Sequence, residues 1–502
     1  MTTTAAQETL QSTGIAGLDD ILYGGLAAGG LYAIEGDTGA GKTTLSMQFL
    51  LAGVQQDEQV LYVTMSETAA ELQMLATSHG WDLSGVHILE LIATDQALSP
   101  DSQYMMFHPS EVELTETTRK ILATADSIKP SRVVIDSVGE LRLLAQSPLR
   151  HRRQVLALKH FFQKDGITVL MVDDPREENP ELGIASIASG IITLDRKATE
   201  YGAFHRRLQV LKMRARAVRE GYHDCRLRTG GIEVYPRLVA AEHRTSFARE
   251  TIKSGVTQLD AMLGGGLARG TSSLFLGPAG TGKSSLAAQY AREAAMRGEH
   301  AAIFLFDESI PTFVERSAGL GFDVQPLMDD GRLTVRQVDP AELSAGEFAS
   351  YVRATVEKHG TRVIVIDSLT GYLNSMPSER QLVLHLHELL TYLGAQGVST
   401  IMLMAQHGLI GADDRSPIDA SYLADTVLLL RFFEARGKVS TAISVIKKRT
   451  GQHERTIREL SFDGGKIGVG EPITSLTGVL TGNPSFLPET VSFGRPAKKR
   501  TK

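Results

Sequence analysis

Two stretches of the chain, GDTGAGKTT from Gly36 to Thr44 and GPAGTGKSS from Gly277 to Ser285, carry the pattern G-x-x-x-x-G-K-[ST], with Lys283 following Lys42 by 241 positions. Each residue type in the pattern has its own duty. The glycines let successive backbone N–H groups converge on phosphate oxygens, the lysine supplies a cation, and the hydroxyl that follows is a magnesium ligand. Gly36, Thr38, Gly39, Ala40, Gly41, Lys42, Thr43 and Thr44 are therefore candidate ATP-binding residues. So are Gly277, Ala279, Gly280, Thr281, Gly282, Lys283, Ser284 and Ser285, with Thr43 and Ser284 as candidate Mg²⁺ ligands. A glycine-rich turn with an incidental lysine is the alternative. Two copies, each between an apolar run and a helical pattern, argue against it.

The loops do not repeat alone. GLDDILYGGL (Gly17 to Leu26) matches QLDAMLGGGL (Gln258 to Leu267), and VLYVTMSE, ending at Glu67, matches AAIFLFDE, ending at Glu308. RVVIDS around Asp136 answers RVIVIDS around Asp367, and VLKMR (Val210 to Arg214) answers VIKKR (Val445 to Arg449). Five ordered matches define an internal duplication. At 502 residues the chain exceeds what one hydrophobic core organises, so two halves suit its length.

Short apolar runs such as GLYAIEG, QVLYVTM, RVVIDS and ITVLMV alternate with segments long enough for helices. That pattern predicts parallel strands with crossover helices, an α/β layer fold in each half. The expected division is residues 1–245 and 246–480, with a loose basic tail over 481–502 where Pro, Gly and charge accumulate. The chain is 42% hydrophobic and 22% charged, with net charge −6 and a mean hydropathy near zero, the profile of a soluble globular protein. The acidic balance gives no support to nucleic-acid binding. The single cysteine, Cys225, excludes an intramolecular disulfide and a cysteine-built zinc site. No run of 18 apolar residues appears, and the start lacks a basic then apolar leader; no membrane association and a cytoplasmic location are expected.

Asp136 and Asp367 each end an apolar run. On a strand beside the phosphate-loop strand, such an aspartate holds Mg²⁺ through water; the alternative is a cap on the next turn. Glu67 and Glu308 end the run after the phosphate-loop helix and are candidates to orient or deprotonate attacking water. A glutamate favoured by the dipole of a following helix is the bland reading.

Taken together, the paired loops, the GLDDILYGGL motif, the glutamates and the late LKMR and IKKR motifs resemble the two-domain KaiC family of the RecA superfamily, over residues 12 to 485. The resemblance implies tandem RecA-like domains in a double-ring homohexamer, ATP between neighbouring subunits, hydrolysis in the first ring and autophosphorylation in the second. It implies that Lys212 and Arg214, and Lys447 and Arg449, reach the neighbour's nucleotide. Where the family has two adjacent glutamates, this chain has Ser66-Glu67 and Asp307-Glu308. The phosphoacceptor pair falls on Ser421 and Tyr422 in DASYLADT, with Asp307 or Glu308 as base. The basic RPAKKRTK end differs from the family's clock members, and signalling proteins are the partners implied. A RecA-like DNA-dependent ATPase and a nucleotide-gated scaffold with negligible turnover are the competing readings. Trp81 reads as a packing residue, and LRHRR (His151 with Arg150, Arg152 and Arg153) as an exposed basic face. His407 and His453 fall near the second nucleotide site by the same resemblance.

Overall fold

A computed structural model describes residues 9–91, 109–174, 184–198, 202–373, 379–406, 421–435, 437–462, 465–480 and 485–486. His407 and nearly all of the basic tail lie outside the described residues. The chain divides into two compact units, Met1–Arg237 and Leu238–Lys502. Leu238 and Ala240 are buried in the core of the second.

Unit 1 is built on β1 (Leu31–Gly36), β2 (Val60–Thr64), β3 (Val86–Glu90), β4 (Arg132–Asp136), β5 (Thr168–Asp173), β6 (Gly190–Lys197), β7 (His205–Met213), β8 (Tyr222–Arg228) and β9 (Gly231–Tyr235). They form one sheet in the order β3-β2-β4-β5-β1-β6-β7-β8-β9. Pairing is parallel from β3 through β6 and antiparallel from β6 to β9. Unit 2 repeats this with β10 (Ser272–Gly277), β11 (Ala301–Leu305), β12 (Leu333–Gln337), β13 (Val363–Asp367), β14 (Ser399–Ala405), β15 (Thr426–Ala435), β16 (Lys438–Lys448), β17 (Ile457–Ser461) and β18 (Gly468–Pro472). Its order is β12-β11-β13-β14-β10-β15-β16-β17-β18. Every place in the second sheet is thus the first-sheet place plus nine. Each unit is an α/β domain, as the alternation of apolar runs predicts, and is RecA-like, as the resemblance implies.

Successive residues of one strand serve different layers. Leu31 and Ala33 pack with Leu61, Val63, Val133 and Ile135 on one face. Tyr32 and Ile34 pack with Val60, Tyr62 and Val134 on the other, beneath the helix Lys42–Val54. Both faces being covered, these strands read as unbroken apolar runs rather than an alternating pattern.

The GLDDILYGGL motif is explained locally. Asp19 accepts from Thr13 N and Thr13 Oγ1, both at 2.8 Å, and Asp260 accepts from Ser254 N and Oγ, again at 2.8 Å. Each carboxylate caps the turn that leads into its unit. Arg132, fully buried at the start of β4, donates to Ser12 O (2.7 Å) and Phe49 O (2.9 Å) and forms an ion pair with Glu58. It thereby ties the Asp136 strand to the helix that follows the first phosphate loop.

His151 corrects the expected exposed face. It lies on the Pro148–Lys164 helix with Val155, Leu158 and Phe162, all turned to the core at helical spacing, and of the three arginines Arg150 and Arg153 are exposed and Arg152 is half-buried. Burial lowers its pKa to about 4. Trp81 packs on the unit-1 core and stacks with His79.

His223 supplies a pH prediction. It is fully buried; Nε2 meets Arg219 O at 2.9 Å and Nδ1 accepts from Arg237 N at 2.8 Å, which fixes a neutral ring. Desolvation first, then the neighbouring arginines, lowers its pKa from 6.5 to about 4. The unfolded chain therefore takes the proton first: this stability is complete above pH 6.5 and is lost as pH falls toward 4, by about 3 kcal/mol. Urea denaturation of unit 1 at pH 7 and pH 4 should show the loss, and ring ¹⁵N shifts should report a neutral His223 at pH 5.5.

Candidate functional site

Each phosphate loop bridges the carboxyl end of the central strand (β1 or β10) and the first turn of a helix, Lys42–Val54 or Lys283–Met296. Gly41 and Gly282, immediately before those helices, take φ of 110° and 87°, a left-handed conformation that glycine adopts without steric cost. The helix N–H groups left without intrahelical partners then face the loop, an anion-binding arrangement.

Both lysines fold back over their loops. Lys42 Nζ donates to Gly36 O (2.5 Å) and Asp37 O (3.3 Å) and pairs with Asp174 Oδ1 at 3.0 Å. Lys283 Nζ donates to Gly277 O (2.8 Å) and Pro278 O (2.7 Å), and burial lowers its pKa to about 8. Asp174 corresponds by strand register to Ala405, so the second lysine lacks that carboxylate.

Asp136 ends β4 and Asp367 ends β13. Neither strand is beside the phosphate-loop strand as expected: β5 and β14 intervene. The gap is closed by the helix start. Thr43 Oγ1 donates to Asp136 Oδ2 at 3.0 Å, and Ser284 hydrogen-bonds Asp367. Burial is the main cause that raises the pKa of both aspartates. Hydroxyl and carboxylate oxygens converging at a phosphate loop are the hard donors that Mg²⁺ takes, so the residues fit that ion.

Sequence reasoning missed several groups here. Tyr62 donates to Asp136 Oδ2 at 2.7 Å; its counterpart 241 positions on is Ile303, so comparing the halves residue by residue exposes it. Arg196 and Arg206 lie against Gly39 in the first loop, whereas Phe432 and Phe462 stand against Gly280 and Gly282 in the second. Arg316 donates to both carboxylate oxygens of Glu308, at 2.9 and 2.8 Å, and to Ser285 Oγ at 3.3 Å. Among the described residues, no cation pairs with Glu67. Burial, then the charges of Asp136 and Glu71, raises its pKa. Asp307 accepts from Ser368 Oγ. Ser66 is exposed.

The late basic residues and the Ser421–Tyr422 segment do come together. Lys447 Nζ donates to Ser421 O (2.9 Å) and Ala424 O (2.8 Å), and Arg449 Nη2 to Tyr422 O (3.0 Å). In unit 1, Lys212 Nζ donates to Ala185 O (2.6 Å) and Arg214 Nη2 to Ser186 O (3.0 Å). Ala185-Ser186 is thus the counterpart of Ser421-Tyr422, a sixth element of the duplication that is invisible in residue identities. This cluster sits at the end of the central strand opposite the loop. Ser272, the first residue of β10, bonds Leu423 O and Asp425, while the loop follows Gly277. At ~3.3 Å per residue the two ends are about 16 Å apart. His453 lies in the segment after β16, next to Glu454, whose N–H bonds Met262 O.

The fold and loops define tandem P-loop domains of the RecA type. The family model described as the KaiC ATPase matches residues 11–239 and 252–472, and the chain belongs to that family. It is 27% identical over 479 residues to the circadian clock oscillator protein KaiC of Picosynechococcus sp., covering 94% of this chain and 91% of that protein. Similarity to the circadian clock protein KaiC3 of Synechocystis sp. is 25% over 482 residues, with 94% of each chain covered. For KaiC of Synechococcus elongatus it is 26% over 481 residues, covering 94% and 91%. No helix among the described residues is long and apolar enough to cross a membrane.

Removing the Tyr62 hydroxyl should isolate its contribution. Tyr62→Phe leaves the ring in place, should cost unit 1 about 1 kcal/mol, and should raise the Asp136 pKa further. Denaturant unfolding of unit 1 beside an unshifted unit-2 transition checks it.

Proposed function

We propose that the chain is a cytoplasmic, ring-forming ATPase with one ATP and Mg²⁺ site per unit, hydrolysing ATP in unit 1 and phosphorylating itself in unit 2. The observation that carries this reading is the doubled lysine, drawn onto its own loop carbonyls beside a hydroxyl–carboxylate pair. Those carbonyls hold the cation where a triphosphate would otherwise engage it. Thr43 and Asp136 in unit 1, and Ser284 and Asp367 in unit 2, would hold Mg²⁺, which when bound offsets charge on the phosphate oxygens.

In unit 1, Glu67 takes the water proton as the water oxygen bonds the γ-phosphorus and ADP leaves. Its raised pKa sets the direction of pH dependence: the basic form is depleted as pH falls through that value, so turnover falls on acidification. In unit 2, the Ser421 hydroxyl replaces water, passing its proton to Asp307 or Glu308; Tyr422 is the second candidate acceptor. The distance between Ser421 and its own loop supports transfer from the ATP of a neighbouring copy. It supports likewise a homohexamer in which Lys212, Arg214, Lys447 and Arg449 act across subunits. Signalling proteins would read the phosphorylated state. The net charge of −6 gives a DNA-driven motor no support.

Calorimetry with Mg²⁺-ATP should find two sites per chain in the parent and one each in Lys42→Ala and Lys283→Ala, with phosphoprotein lost only in the latter. Glu67→Gln should lower first-site hydrolysis roughly a hundredfold or more and abolish its acid limb. A single site per parent chain overturns the reading.

A further inference from the structure

The two candidate catalytic glutamates occupy matching positions, Glu308 following Glu67 by 241 residues, yet only the second is met by a cation among the described residues. Both are followed by a helix, Ala69–His79 in unit 1 and Ile310–Gly319 in unit 2, in the same register. The seventh residue of the first helix, nearly two turns in, is Leu75; in the second it is Arg316. Arg316 takes Glu308 in a two-pronged ion pair, Nε to Oε1 at 2.9 Å and Nη2 to Oε2 at 2.8 Å. Its third nitrogen, Nη1, reaches the phosphate-loop hydroxyl Ser285 at 3.3 Å. Both partners are largely shielded, with side chains 26% and 20% exposed.

From this geometry we infer that Arg316 is a positioning residue that keeps the second site from activating water. In hydrolysis the water oxygen bonds the γ-phosphorus, the bond to the β–γ bridging oxygen breaks as ADP leaves, and the water proton passes to a carboxylate. A carboxylate with both oxygens engaged by a guanidinium fork offers that proton no free lone pair along the fork. Glu67, without such a partner, keeps its basicity. Asp307, engaged by a neutral hydroxyl from Ser368, remains the carboxylate that can receive a proton from a serine hydroxyl. The fork therefore sorts the two sites: water is activated in unit 1, while ATP in unit 2 is preserved for transfer to protein. This inference rests on reading the second loop as a nucleotide site.

The test uses the full-length protein with Glu67→Gln, so that remaining hydrolysis comes from unit 2. Arg316→Leu, which installs the residue found in unit 1, should raise single-turnover ATP hydrolysis roughly ten- to a hundredfold. It should also create an acid limb in the pH profile, and adding Glu308→Gln should remove both effects. Arg316→Lys, which keeps charge without the fork, should fall between parent and Arg316→Leu; Arg316→Gln gives a second uncharged variant should leucine impair folding. Fluorescent-nucleotide titration distinguishes the two levels of failure. If both sites fill and Arg316→Leu and Arg316→Gln hydrolyse no faster than their parent, the fork does not restrain water and the inference is overturned. If the second site does not fill in the parent, the nucleotide reading fails first and takes the inference with it.

Discussion

A single hydrogen bond across a gap of one strand organises each half of this molecule. Thr43 reaches Asp136, and Ser284 reaches Asp367, although β5 and β14 lie between the strands concerned. The bond is possible only because the helix begins directly after a glycine in a left-handed conformation, which points its first turn back over the ends of the strands. Parallel strands on both sides of β1 and β10 then leave a crevice at their carboxyl ends, where ligands of open α/β sheets bind. Loop, lysine, hydroxyl and carboxylate follow from that one placement. Arg132 secures it in unit 1 by joining β4 to the same helix through Phe49 O.

Given so exact a repeat of topology, the differences between the halves carry most of the functional information. Around the first loop the added groups are Asp174 on Lys42, Tyr62 on Asp136, and Arg196 and Arg206 against Gly39. Around the second they are aromatic: Phe432 and Phe462 against the loop, with Lys283 left to backbone carbonyls alone. Two sites of one fold thus present different electrostatics to the same kind of ligand. The carboxylates diverge in the same way, Glu67 raised in pKa by burial and by Asp136, Glu308 held by a fork of two hydrogen bonds.

The loops, the terminal aspartates, the α/β class and the duplication were legible because they depend on residue types at fixed short spacing. Strand order was not. That β5 separates β4 from β1 depends on which crossover lies where, and no local pattern encodes it. His151 was misread because a run of arginines masks the spacing of His151, Val155, Leu158 and Phe162, which a helical projection would have exposed. Ala185 and Ser186 matched nothing in sequence, since their kinship with Ser421 and Tyr422 lies in backbone carbonyls that accept from Lys212 and Arg214 in one unit and from Lys447 and Arg449 in the other. Arg316 sits eight residues beyond Glu308, two helical turns along, and only the folded helix brings its fork back onto the carboxylate.

That the Lys447 and Arg449 cluster stands at the far end of β10 from the loop has a consequence for any chemistry involving Ser421. A serine bonded through its carbonyl to Lys447, next to a chain segment fastened to Ser272, cannot move toward its own loop without breaking those bonds. Reaction within one chain would therefore demand release of that segment, whereas reaction between chains demands only that the end carrying Ser421 meet a neighbour's loop end. The same holds in unit 1 for Lys212 and Arg214, fastened to Ala185 and Ser186. Head-to-tail contact of that kind is heterologous, and repeated around an axis it closes a ring. The sheet's own direction, with the basic cluster at one end and the phosphate loop at the other, is thus what supports the proposed assembly.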